Sequence, residues 1–151
     1  MSADGLSDEL AGVLTGIHRM VRRRLWAGLT KPRLRGAEAE LLHIVTERPG
    51  IGVSGAADEL YLAANSVSTL VNQLVKAGLL RREADPSDGR VAMLFPTPAC
   101  RERLRAWDAR RGALFRARVR TLPAEDQAAL AAALPALRRL ARSLRETGEA
   151  R

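Results

Sequence analysis

The chain has 151 residues, 46% of them hydrophobic and 28% charged, which suits one folding unit with a core of its own. Aromatic residues make up only 3%, so the core must be aliphatic, and the single cysteine, Cys100, excludes an internal disulfide or a cysteine-based metal cage. The formal net charge of +8 is unevenly spread: residues 33–97 carry 7 basic and 8 acidic side chains and residues 98–151 carry 13 and 6, so basicity alone locates no nucleic-acid surface.

Leu6, Leu10, Val13, Leu14, Ile17, Met20, Val21, Leu25 and Leu29 recur at helical spacing and predict an amphipathic helix over residues 7–30, stopped by Pro32. A second helix is expected from about Gly36 to Arg48, with Leu41, Ile44 and Val45 inward and Pro49-Gly50 as the closing turn. Ser54 is placed to cap a short helix ending at Leu60, and Val67, Leu70, Val71, Leu74 and Val75 mark another that Gly78 ends. Leu79–Ala84 and Arg90–Phe95 read as two extended runs around the turn-forming Asp85-Pro86-Ser87-Asp88-Gly89, hence a hairpin with a polar tip. Beyond Pro96 helical spacing returns in two stripes, one through Leu104, Trp107, Leu114, Val119 and Leu122, the other through Leu130, Leu134, Leu137, Leu140 and Leu144. Pro135 is expected to kink or divide the last helix. No apolar run nears the roughly 20 residues that span a bilayer, and Met1-Ser2-Ala3-Asp4 lacks the layout of a signal peptide, so a cytoplasmic protein is expected.

Ala57, Leu60, Val67 and Leu70 have the offsets of a helix-turn-helix, with a small residue at the crossing and apolar residues locking the second helix on the first. The hairpin that follows completes a winged helix. The outer positions of the second helix, Asn65, Ser66, Ser68, Thr69, Asn72 and Gln73, all carry amides or hydroxyls, whereas a merely solvated face usually carries several Glu, Lys or Arg. The wing supplies the cations: Arg81 and Arg82 at its base and Arg90 beside its tip, where an arginine can enter a narrow minor groove. Asp88 either orients the Arg90 guanidinium or closes the turn.

Asp85-Pro86-Ser87-Asp88-Gly89-Arg90 followed by Thr97-Pro98-Ala99 resembles the wing of the MarR family of bacterial repressors, whose hallmark is an Asp-x-Arg at that place. Ser54 to Leu80, ending Leu74-Val75-Lys76-Ala77-Gly78-Leu79-Leu80, is similar to the same family's recognition helix and first wing strand; the resemblance covers about residues 34–101 by motif and the rest by helix pattern. It implies a mainly α fold in which a winged helix-turn-helix (33–97) with a small β-hairpin wing is carried on a helical dimerisation region from both chain ends (1–32 and 98–151). It further implies a homodimer on a pseudo-palindromic double-stranded DNA operator, with Asn65 to Gln73 in the major groove and Arg90 in the minor. The apolar stripes at the two ends point independently to a partner, since one small head does not cover them. Departures from the pattern are Tyr61 where the turn often has glycine, Ala63 with no capping side chain, Pro96 for an aliphatic residue and Cys100 for a common glycine.

Many relatives bind small aromatic or phenolic effectors between arms and head; His18, Trp26, His43 and Trp107 either line such a cleft, with Arg22 or an arginine of Arg101 to Arg111 pairing an anionic ligand, or are each a core or surface residue. Relatives that sense peroxide use a cysteine near the first helix, which this chain lacks, and Cys100 reads as a packed thiol. Two histidines without a carboxylate at ligand spacing make a poor metal site, and no phosphate loop or nucleophile motif suggests an enzyme or a cofactor. The reading is therefore a ligand-responsive DNA-binding repressor. The rival reading is a protein-interaction module whose basic C-terminal helices bind an acidic partner.

Overall fold

The computed structural model describes residues 2–27, 34 and 36–146, apart from the side chains of residues 3, 26, 145 and 146. Its elements run α1 (Ala3–Trp26), α2 (Gly36–Glu47), β1 (Ile51–Gly52), α3 (Val53–Leu60), α4 (Ala64–Lys76), β2 (Leu80–Ala84), β3 (Ala92–Pro96), α5 (Pro98–Val119) and α6 (Ala124–Glu146). Met1–Arg111 and Gly112–Arg151 form two compact units. No helix among the described residues is long and apolar enough to cross a membrane.

Helix α1 begins four residues before the predicted start, because Ser2 caps it: its hydroxyl accepts from the Gly5 N–H at 3.2 Å, and Asp4 adds an acid to the first turn. Periodicity of apolar residues cannot register a polar cap, hence the difference. The helix ends at Trp26, four residues before the predicted end, because Ala27 turns to an extended conformation (φ −64°, ψ 123°).

Helices α2, α3 and α4 close over the sheet in a core of Leu41, Leu42, Val45, Ala56, Val67, Val71, Leu74, Leu80, Leu94 and Cys100, each at most 2% exposed. Leu41, Ile44 and Val45 face inward as predicted, and Leu42 joins them. The Pro49-Gly50 turn works because Gly50 takes φ +91°, a conformation that side chains disfavour, and its N–H reaches the Leu94 carbonyl at 2.8 Å. That contact leads into β1, a two-residue strand antiparallel to β3 that is too short to show alternation in the sequence. Entry from β1 makes Gly52 the residue before α3, so Ser54 lies inside the first turn and is not the cap.

Helix α4 ends in a Schellman motif: Leu79 N–H bonds the Leu74 carbonyl, Gly78 N–H bonds that of Val75, and Gly78 takes φ +72°. Of its predicted apolar stripe, Val67, Val71 and Leu74 are buried and Leu70 half-buried, while Val75 turns outward at 37% exposed. Strands β2 and β3 pair in the register Leu80↔Pro96, Arg82↔Leu94 and Ala84↔Ala92, with β3 at the sheet's centre. The hairpin is thus present, with strands beginning one residue later on the first side and two later on the second. Val91 lies outside β3 and is exposed, and Leu94 and Pro96 supply the buried face.

Thr97 joins these parts. Its hydroxyl donates to the Gly78 carbonyl at 2.7 Å and accepts from the Cys100 N–H at 3.2 Å, so one side chain ties the end of α4 to the start of α5. Helix α6 passes through Pro135 without interruption. Residues 131 and 135 are both exposed, and water can satisfy the carbonyl that the proline leaves without a donor, so the expected division does not occur.

Candidate nucleic-acid interface and ligand cleft

The turn between α3 and α4 is only three residues, Tyr61 to Ala63, and α4 leaves it with no side-chain cap. Helical geometry then gathers Asn65, Ser66, Thr69, Asn72, Gln73 and Lys76 on one face, all exposed, opposite buried Val67, Val71 and Leu74. Ser68 is half-buried at the edge of that face. Two members are already directed by local bonds. Asn65 Oδ1 accepts the Ser66 N–H at 2.8 Å, which turns its amide NH2 outward as a donor; the Thr69 hydroxyl donates to the Asn65 carbonyl at 3.1 Å, which leaves its oxygen free to accept. A surface of amides and hydroxyls of this kind can satisfy base-edge donors and acceptors without the desolvation cost of burying charge.

The wing tip is held by backbone and carboxylates together. Asp85 N–H bonds the Val91 carbonyl and Val91 N–H that of Asp88, both at 2.9 Å. The Asp85 carboxylate takes the Ser87 hydroxyl at 2.6 Å and its N–H at 2.8 Å, and these bonds, the hydroxyl first, hold its pKa below the ordinary value. Asp88 Oδ1 accepts the backbone N–H of Arg90 at 3.0 Å, so of the two roles left open for Asp88 the turn-closing one is observed. The Arg90 side chain is exposed, with no ion pair among the described residues. A rigid tip with an unpaired guanidinium suits insertion into a negative groove.

The other wing cations differ. Arg81 lies 4.7 Å over the Phe95 ring and forms an ion pair with Glu83, two residues along the same strand face. Arg82, on the opposite strand face and paired in register with Leu94, is exposed. Arg81 therefore has two intramolecular partners, while Arg82 and Arg90 stand open.

A second site lies within Met1–Arg111. His18 and Arg22 of α1, His43 of α2 and Trp107 of α5 line a cleft of about 830 Å³, together with Leu34, Glu40, Leu60, Leu62, Glu102, Arg103, Arg110 and Arg111. Four of the five residues expected at an effector site thus meet; the side chain of Trp26 is outside the described residues. Arg22 borders Gly36, whose missing side chain leaves a guanidinium nitrogen 3.6 Å from where a Cβ would stand. Arg110 donates to the Ala27 carbonyl at 3.4 Å and Arg111 pairs with Asp108 at 2.8 Å. The wall carries four guanidinium groups and two carboxylates, around an apolar interior that suits an anion with an apolar body. Residues missed in the sequence are Glu40, Glu102, Leu60 and Leu62. The three α5 arginines share with Trp107 the spacing 103, 107, 110 and 111, a signal that helical periodicity of polar residues would have given.

Cys100 is fully buried in the head core, its sulfur 3.8 Å from the Thr46 hydroxyl oxygen. Burial pushes its thiol pKa up, against smaller opposing effects of Thr46, Arg101 and Arg103. A thiol so placed packs as a small hydrophobe.

Residues 31–91 match the MarR family, which covers α2 through the wing tip. No curated protein matches the chain. Among solved structures, the chain is similar to the RV1404 protein of Mycobacterium tuberculosis, with a TM-score of 0.81 at 18% identity over 93% of this chain and 95% of that one. It is similar to Streptococcus pneumoniae FabT, solved in complex with DNA, at a TM-score of 0.71 and 19% identity over 95% and 99%. It is also similar to the PcaV transcriptional regulator of Streptomyces coelicolor, solved with its natural ligand, at 0.57 and 24% over 88% and 92%. These likenesses extend the fold agreement beyond the head to the flanking helices. The elements from α2 to β3 have the order of a winged helix-turn-helix, lie largely within the segment 31–91 that matches the MarR family, and are flanked in the chain by helices on both sides.

Proposed function

We propose that this chain is a transcription regulator, a homodimeric repressor that reads a pseudo-palindromic operator and releases it when a small ligand enters the cleft. Residues 33–97 are the reading head in this account, and residues 1–32 and 98–151 the dimerisation region. The observations that carry it are the exposed amide and hydroxyl face of α4, with Lys76 its one charged member, and the unpaired Arg90 at a wing tip held by hydrogen bonds. Asn65, Ser66, Ser68, Thr69, Asn72 and Gln73 read base edges, Arg90 enters the minor groove, and Arg82 meets phosphate at the wing's base. Arg81, bound to Glu83 and Phe95, contributes chiefly by stiffening the wing.

Dimerisation is supported by the apolar residues left exposed on α1 (Leu6, Val13, Leu14, Ile17, Met20) and α6 (Leu130, Leu134, Leu140, Leu144), each at 40% or more. A ligand is supported by the cleft, and its chemistry by four arginines around an apolar interior: an aromatic or other compact anion. Leu60 and Leu62 line that cleft two to four residues before α4 begins, so an occupant presses on the segment that aims the reading helix. FabT and PcaV, of the same fold, are solved with DNA and with a ligand respectively, in keeping with both halves of the proposal.

A gel shift with DNA from upstream of the protein's own gene tests it. Sequence-selective binding that weakens by roughly a factor of 10 or more between 50 and 200 mM salt is the expected result. Capture of an acidic protein by the basic C-terminal helices, with no duplex bound, would instead favour the interaction-module reading.

A further inference from the structure

Tyr61 is the one described non-glycine residue in the left-handed region, with φ 53° and ψ 39°, at the carboxyl end of α3. That conformation is strained for a side chain and natural for glycine. Nothing in the fold offsets the strain. Tyr61 is 69% exposed, the largest exposure of any big apolar residue in the head, and no hydrogen bond of its hydroxyl occurs among the described residues. Only the backbone is engaged: Tyr61 N–H bonds the Asp58 carbonyl at 3.2 Å and Leu62 N–H that of Ala57 at 3.1 Å, bonds that glycine would make equally well. A residue held in strain without packing return marks a functional surface more often than a structural one.

Its place says what the surface meets. Tyr61 precedes the first residue of α4 by three, and Asn65, the first amide of the polar face, by four. If α4 enters a major groove by its amino-terminal half, the chain just before it crosses the groove's rim, where the phosphates run. Tyrosine is among the side chains that bond phosphate oxygens, and an outward phenol there is a neutral donor in a head whose cations are few.

We infer that Tyr61 is a DNA-contacting residue whose phenol donates to a backbone phosphate beside the reading helix and fixes the depth at which α4 sits; this rests on the head being a DNA reader. A phosphate contact carries no base information, so it supports operator and unrelated duplex alike.

Fluorescence anisotropy with the intact protein, a labelled upstream duplex and a scrambled duplex tests this, with thermal melting alongside. Tyr61→Phe keeps the ring and the backbone and loses only the donor. It is expected to melt as the unmodified protein does and to weaken binding to both duplexes by about threefold or more. Tyr61→Gly is expected to melt no lower than the unmodified protein and to bind both duplexes about tenfold more weakly. Unchanged affinity in Tyr61→Phe would overturn the hydroxyl contact, and a lowered melting temperature in Tyr61→Gly would show a structural role instead. Loss confined to the operator would make Tyr61 a base reader and overturn the phosphate assignment. Failure of the unmodified protein to bind either duplex would refute the reading of the head, and Tyr61's role with it.

Discussion

The head and the chain ends treat their apolar residues in opposite ways. In the head, Leu41, Leu42, Val45, Val67, Val71 and Leu94 are wholly buried and every strand or helix covers its neighbour. On α1 and α6, leucines and isoleucine at the same helical spacing lie 40–68% exposed, and Leu25 alone of the α1 stripe is buried. Burial of an aliphatic side chain stabilises by about 1.5–3 kcal/mol, so the head is built to fold by its own contacts, whereas the ends keep apolar surface that the proposed dimer would cover. In the proposed dimer, specificity and assembly would reside in separate parts of the chain, so that each could be disturbed without the other.

The largest effect is expected from the head core. Leu41→Ala removes a fully buried side chain where α2 meets the sheet and should cost about 2–5 kcal/mol, read as a fall in denaturant midpoint. A loss under 1 kcal/mol would mean that the head is not the folding centre. Next, Leu14→Asp with Ile17→Asp places two charges on the exposed α1 stripe. Sedimentation should shift from two chains to one with the far-UV spectrum retained, and operator affinity should fall on the order of 100-fold as the two heads lose their linkage. An unmodified protein that already sediments as one chain would sink the contrast drawn between the two regions.

A smaller effect is expected at the wing. Arg90→Ala should weaken operator binding by about tenfold with melting temperature and dimer unchanged, because the tip is held by Asp85, Ser87 and Asp88 and not by the Arg90 side chain. Arg81→Ala, by contrast, should lower wing order more than affinity. The smallest effect concerns Cys100. Its folded pKa lies above the ordinary 9.0, so the unfolded chain loses the proton first; the thiol's contribution is intact at neutral pH and is lost as pH rises past about 9. Cys100→Ala should flatten that alkaline slope, and peroxide at neutral pH should leave operator binding unaltered.

Much of the head was readable because its signals are local. Gly78 ends a helix by a positive φ, Asp85 to Arg90 closes a turn by side-chain acceptors, and Val67, Val71 and Leu74 mark a face by spacing alone. Other features depend on what the chain meets in three dimensions. Strand β1 is two residues long and exists only because β3 lies beside it, and its pairing displaced Ser54 from the cap that its sequence position suggested. The cleft's His18, Arg22, His43 and Trp107 were legible as a group, whereas Glu40 and Glu102 were not, since nothing in their own helices distinguishes a carboxylate facing a cleft from one facing water. Arg81 was legible as a cation but not as an occupied one, although Glu83 stands two residues away on a period-2 strand.

Hydroxyl-radical footprinting of the upstream region with the intact protein tests the central claim most directly. The account predicts two protected half-sites related by a pseudo-twofold axis, with centres about 10 base pairs or a multiple apart and minor-groove protection where Arg90 enters, lost selectively in Arg90→Ala. Uniform protection with no sequence register, or a footprint unchanged by that substitution, would contradict it.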